Sequence, residues 1–157
     1  MSKKGFTLIE IMIVVAIIAI LASVVLIGLG PTQRIARDAR RLSDLRQVQT
    51  GLELYFNKCG YYPGTAQSGT SCSARSDITT WDALSAAIKG SNIGVNQDIP
   101  NDPSSGRTYD YRSDGVTYVL RADLEDTGNQ SLQGDVDGNV LGLDCDETTA
   151  PYYCLQL

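Results

Sequence analysis

Polar and apolar positions divide this chain into three regimes. From Ile11 to Leu29 it reads IMIVVAIIAILASVVLIGL, without a single charge. A helix rises about 1.5 Å per residue, so roughly 20 such residues cross the hydrocarbon of a bilayer. Glu10 stands at the edge of this block. A carboxylate in lipid is costly unless paired or protonated, so a partner for Glu10 is expected, a first sign of assembly. Helix is predicted from Phe6 to about Ile27. Gly28-Leu29-Gly30-Pro31 then disfavours regular helix, because glycine costs about 1 kcal/mol and an interior proline about 3 kcal/mol.

The helical period then resumes with a different character. Ile35, Ala39, Leu42, Leu45, Val48, Leu52 and Tyr55 recur at spacings of three or four, which marks one buried stripe. Arg34, Arg37, Arg41, Asp44 and Gln47 read as the opposite, polar face. The prediction is one long, two-part helix whose second half packs under a globular head. Cys59-Gly60-Tyr61-Tyr62-Pro63-Gly64 ends it.

In the third regime, Gly64 to Ser76 is rich in Ser, Thr and Gly and reads as a loop. Thr79 to Gly90 reads as a short helix, with a threonine cap, an apolar edge of Trp81, Leu84 and Ile88, and Gly90 as its stop. Asn101 to Gly106 is a turn cluster. Thr108 to Arg112 and Val116 to Ala122 alternate around Ser113-Asp114-Gly115, a hairpin signal. Tyr152 to Leu157 supplies a last strand. The fold class is α+β, a small antiparallel sheet packed on the helix stripe. No repeat of solenoid period is present.

Composition narrows the picture. A length of 157 residues suits one domain with an appendage, and a head this small buries a modest core that benefits from covalent staples. The formal net charge is -5. There is no basic stripe of the kind nucleic acid requires. Arg34, Arg37, Arg40 and Arg41 are interleaved with Asp38 and Asp44, which reads as a solvated or intersubunit helix face before a phosphate or lipid contact. The absence of histidine excludes Ser-His-Asp and Cys-His catalysis and mixed Cys-His zinc sites. No catalytic set remains, and the chain is expected not to be an enzyme. Cys59, Cys72, Cys145 and Cys154 are separated by 12, 72 and 8 residues, spacings that suit disulfides in an oxidising compartment. Four cysteines allow three pairings. The short-range pairing, Cys59 with Cys72 and Cys145 with Cys154, is adopted because each bridge would pin a loop poor in core contacts.

Lys3-Lys4-Gly5-Phe6-Thr7-Leu8-Ile9-Glu10 resembles the class III leader and cleavage site of type IV pilins and type II secretion pseudopilins. The resemblance is strong from Met1 to about Phe56. It continues more weakly through Gly60-Tyr61-Tyr62-Pro63 and Ile99-Pro100-Asn101-Asp102-Pro103, which are similar to stretches of major pseudopilins, whereas four cysteines look more like pilins proper. The resemblance implies a leader of residues 1–5, cleavage after Gly5 by a prepilin peptidase, and methylation of the new amino terminus on Phe6. It also implies a filament-core helix over 6–31, an amphipathic helix half over 32–57 and a head over 58–157. Removing Lys3 and Lys4 would take the charge from -5 to -7. The Phe6 amine of one chain would pair with Glu10 of a neighbour, a contact strongly favoured in low dielectric. Lys3 and Lys4 would stay in the cytoplasm while the head is translocated.

The acidic tail is the second informative stretch. After Arg121 there is no Lys or Arg, whereas Asp123, Glu125, Asp126, Asp135, Asp137, Asp144, Asp146 and Glu147 all follow. Asp135, Asp137, Asn139, Asp144 and Asp146, opened by glycines, resemble a calcium loop, since calcium takes six to eight oxygens. The glycine falls too early for an EF-hand. The loop is similar to the aspartate-rich calcium loop of major pseudopilins. The competing reading is a solvated acidic loop closed by its disulfide.

The function read from the sequence is a structural subunit of a type IV pilus-like filament, made as a single-pass inner-membrane prepilin with its head outside. Its partners would be further copies in a helical homopolymer, the prepilin peptidase, the inner-membrane assembly platform with its ATPase, and lipid before assembly. The alternatives are a major pseudopilin in a periplasmic secretion pseudopilus, a competence pseudopilus, and a monomeric membrane-anchored binding module. A removed secretory signal is disfavoured, since its apolar region is usually shorter and carries no carboxylate.

Overall fold

The computed structural model describes residues 5–64, 72 and 78–157, with residues 24–29 described by backbone alone. Met1 to Lys4 of the expected leader, and most of the expected loop between Gly64 and Ser76, lie outside these residues. The elements follow as α1 (Leu8–Cys59), α2 (Trp81–Gly90), β1 (Asp110–Ser113), β2 (Tyr118–Asp123), a 3₁₀ turn (Gln130–Gln133), β3 (Asn139–Val140), β4 (Leu143–Asp144) and β5 (Tyr152–Gln156). The class is α+β, a long N-terminal helix followed by a small antiparallel sheet. The chain divides into two compact units, Met1–Ile35 and Ala36–Leu157.

In the first unit α1 starts at Leu8 rather than Phe6, because Thr7 caps it. The helix is continuous through Gly28 to Pro31, the stretch expected to disfavour regular helix. Proline removes one ladder hydrogen bond, and the flanking turns carry the helix across it. Phe6 to Ser23 are exposed throughout. Among the described residues no helix is long and apolar enough to cross a membrane. The apolar sequence itself continues past Ser23 to Leu29.

In the second unit the core joins Leu45, Val48 and Leu52 of α1 to Leu84 and Ile88 of α2 and to Tyr118, Leu120 and Ala122 of β2. Thr80 caps α2 by accepting from the Ala83 N–H at 3.3 Å, and the expected edge of Trp81, Leu84 and Ile88 is buried. The sheet order is β1-β2-β5, antiparallel throughout. Alternation along β2 sends Tyr118, Leu120 and Ala122 toward α1. Val119 points to the other face, where it meets Leu143, Cys145 and Cys154. The hairpin lies slightly later than predicted. Its turn is held by the Asp114 carboxylate, which accepts from the N–H groups of Val116 at 2.9 Å and Thr117 at 2.7 Å. The β3–β4 ribbon was not anticipated.

The polar face assigned to the second half of α1 needs correction. Ile35 and Ala39, expected in the stripe, are exposed, whereas Arg41, Asp38 and Asp44 are buried. The Arg41 side chain is 0% exposed. It donates to Asp38 Oδ1 at 2.6 Å, Asp102 Oδ2 at 2.7 Å, Asp102 Oδ1 at 2.9 Å and Ser104 Oγ at 2.8 Å. Glu125 Oε1 lies 3.0 Å away. Arg37 binds Glu125 bidentately, through Nε to Oε1 and Nη2 to Oε2. Asp38 accepts from the N–H groups of Glu125 and Asp126, and Asp44 accepts from the Tyr109 hydroxyl at 2.9 Å. The buried face of α1 therefore begins with charge and becomes apolar only from Leu45. A buried guanidinium is tolerated when carboxylates satisfy its fork of donors. Arg34, Arg40 and Gln47 are exposed as expected.

Candidate functional site

Two places carry chemistry. The first is the N-terminal junction. Gly5 and Phe6 precede the helix, and Phe6 is 83% exposed. The Thr7 hydroxyl and the Thr7 N–H both donate to Glu10 Oε2, at 2.6 and 2.8 Å, and the Glu10 N–H donates to Thr7 Oγ1 at 3.4 Å. This is a capping box, in which threonine and glutamate satisfy otherwise orphaned N–H groups. The T-x-x-E spacing was present in the sequence, but Glu10 had been assigned to assembly alone. In this chain the carboxylate is already turned toward the helix start, onto the Thr7 N–H and hydroxyl.

The second place is the acidic loop on the sheet face away from α1. Asp135, Asp137 and Glu147 each present a carboxylate oxygen, and these oxygens lie within 4.8 Å of one another. Calcium–oxygen distances are about 2.3–2.6 Å, so one ion can reach all three. Asp135 Oδ2 accepts from the Cys154 N–H at 2.7 Å. Its Oδ1 is buried and has no hydrogen-bond partner among the described residues. Burial, reinforced by Glu147 and Asp137, pushes the Asp135 carboxyl up to about 6, against the pull of the Cys154 N–H. An orphaned oxygen among like charges, all hard donors, fits a divalent cation.

The other expected ligands each accept one local hydrogen bond. Asn139 Oδ1 accepts from Gly142 N–H at 3.2 Å, Asp144 Oδ1 from Asp146 N–H at 3.1 Å and Asp146 Oδ1 from Thr148 N–H at 3.1 Å. Among the described Asp and Glu residues, Asp135 and Asp137 converge with Glu147. Glu147 had no sequence signal as a ligand beyond its place in the acidic run. The disulfides are Cys59–Cys72 and Cys145–Cys154, and the second ties the segment just before Glu147 to β5, where the Cys154 N–H holds Asp135. Arg121 braces the same region. It pairs with Asp110 at 2.7 Å, donates to the Asp144 carbonyl at 2.8 Å and lies 4.3 Å from the centroid of the Tyr152 ring.

Residues 1–26 match the model of the prokaryotic N-terminal methylation motif. The type II secretion system core protein G of Escherichia coli strain K12 is 37% identical over 66 residues, 42% of this chain and 46% of that protein. That of Pectobacterium carotovorum subsp. carotovorum is 35% identical over 65 residues, 41% of this chain and 42% of that protein. That of Aeromonas hydrophila is 35% identical over 65 residues, 41% of this chain and 46% of that protein. The chain thus spans less than half the length of these curated relatives. No solved structure matches it significantly. The chain thus carries the prokaryotic N-terminal methylation motif ahead of a long helix and a small antiparallel sheet, and over part of its length it is similar to core protein G of type II secretion systems.

Proposed function

We propose that this chain is a structural filament subunit, made as a single-pass membrane precursor, cleaved after Gly5 and polymerised through α1. The observation that carries the reading is the contrast between its units. The head has its own buried core, while the apolar side chains of Phe6, Leu8, Ile9 and onward to Leu21 are exposed all round the helix. A helix that is apolar on every face needs lipid or other apolar helices around it. Lipid serves before assembly and neighbouring copies serve afterwards, with heads facing outward. Cleavage would free an amine on Phe6 within the turn that holds Glu10, and a neighbour's amine would then compete with Thr7 for that carboxylate.

The similarity to core protein G favours a periplasmic type II secretion pseudopilus over a surface pilus. The prepilin peptidase and the inner-membrane platform with its ATPase are the partners this reading requires. Asp135, Asp137 and Glu147 would hold a calcium ion, with Asn139, Asp144 and Asp146 shaping the loop around them. The ion would neutralise converging carboxylates and tie the loop to β5. Deleting the chain and assaying both exoprotein release and surface fibres tests the proposal. Loss of release without loss of surface fibres supports the pseudopilus, and loss of long fibres with normal release supports the pilus. A deletion that alters neither sinks the filament reading.

A further inference from the structure

The β3–β4 ribbon turns through Leu141 and Gly142, whose φ angles are +49° and +83°. Two consecutive positive φ angles make a tight hairpin turn that favours Asn-Gly, because a Cβ crowds the carbonyl in the left-handed region. A leucine here is locally unfavourable, and it is also exposed. Its neighbours Val140 and Leu143 pack against the sheet, so Leu141 alone of this ribbon's apolar residues stands out into solvent. Asp135, Asp137, Asp144, Asp146 and Glu147 flank it along the chain, and one bound divalent cation would leave this acidic segment negative.

On the α1 side of the same unit lies a groove of about 510 Å³ between α1 and the segment from Gly94 to Pro100. Val48, Ile88, Val95 and Ile99 contribute apolar surface to it, and Leu54, 43% exposed, forms one wall. Gly51 lies in it as well, and a methyl added there would sit 3.7 Å from Ile88 without a clash. Arg46 is exposed on the turn before Thr50, which lines the groove, and makes no ion pair among the described residues. Asp98 at the rim is matched by Lys89 at 3.0 Å.

We propose that Leu141 of one copy seats in this groove on the next copy, with its acidic flanking segment facing Arg46. The ribbon and α1 pack on opposite faces of the sheet, so a head cannot fill its own groove with its own tip. A contact between two different patches is heterologous, and it propagates from copy to copy instead of closing in a pair. The inference deepens the filament reading by naming the head-to-head contact. It also explains why an apolar residue occupies a turn position where asparagine would fold better, since a locally disfavoured residue marks function.

The test uses the full chain with Leu54→Cys and Leu141→Cys together. Both native cystine pairs are closed and no free cysteine remains, so mild oxidation reports the engineered pair alone. A ladder of cross-linked species is expected from the double variant, and monomer from either single variant. Monomer alone from the double variant overturns the contact. Two further variants separate contact from fold. Leu141→Asn relieves the turn, and Gly51→Ala fills the groove while favouring helix. Each should keep or raise the melting temperature of the head and weaken association between chains about tenfold or more in sedimentation. Undiminished association in either variant also overturns the contact. Electron microscopy of the wild type is read separately. Fibres without a ladder keep the filament reading and remove the contact, and a ladder without fibres does the reverse.

Discussion

Replacing Arg41 by methionine keeps much of the side-chain volume and removes the charge that three carboxylates share. In the native head Asp38 is 0% exposed, the Asp102 side chain 1% and that of Glu125 14%. Removing one partner of a buried ion pair costs about 3–5 kcal/mol. Asp38 keeps the N–H groups of Glu125 and Asp126, Asp102 keeps that of Ser104, and Glu125 keeps Arg37. The lower part of the range is therefore expected, about 3–4 kcal/mol, or about 12–16 °C in the melting temperature of a head this size. Trp81, buried beside Tyr109 with its indole N–H on the Pro100 carbonyl, reports the transition by fluorescence in the detergent-solubilised chain.

The pH dependence adds a second readout. Burial opposes the charge on Asp102, but Arg41 and the Ser104 N–H hold its carboxyl below the usual range. Arg37, with Arg41 and Ser104, holds Glu125 well below its usual value despite burial. Depressed carboxylates contribute stability above their unfolded pKa values of about 4, and that contribution is lost as the pH falls toward the folded values. Without Arg41, burial raises the Asp102 carboxyl, so the variant is relieved as it protonates. The gap between wild type and variant should narrow between pH 7 and pH 4.5. A melting temperature within about 3 °C of wild type at pH 7, or a gap that does not change with pH, would refute the reasoning.

Three further outcomes are expected. Gly5→Val should leave an uncut precursor in the membrane, and intact-mass analysis that finds Met1 in assembled wild-type filaments would rule out the processing. Glu10→Ala should insert normally and polymerise poorly, with a helix start weakened by about 1 kcal/mol from the lost capping box; a normal filament yield defeats the pairing with the Phe6 amine. Calcium should raise the melting temperature of the head and a chelator should remove the gain. Asp137→Asn should abolish that difference while Asp144→Ala retains most of it, because of these two Asp137 is the one whose carboxylate lies in the cluster with Asp135 and Glu147; identical curves with and without calcium return the loop to a solvated, disulfide-closed one.

What the sequence determined by itself was everything set by local pattern. The uncharged block after Glu10, the Gly5-Phe6 junction, the Thr80 cap with Trp81, Leu84 and Ile88 on one edge, and the alternation in β2 each follow from spacing within a few residues. The tertiary structure decided which polar groups are buried. Helical periodicity sorts residues by polarity, so it placed Arg41 and Asp44 on the outer face. Their burial depends on Asp102, Tyr109 and Glu125 arriving from 61, 65 and 84 positions away along the chain. The acidic loop behaved the same way. Its composition announced oxygen chemistry, but only the fold brings the carboxylates of Asp135, Asp137 and Glu147 within 4.8 Å of one another, because convergence is decided in space and composition counts only how many acids there are.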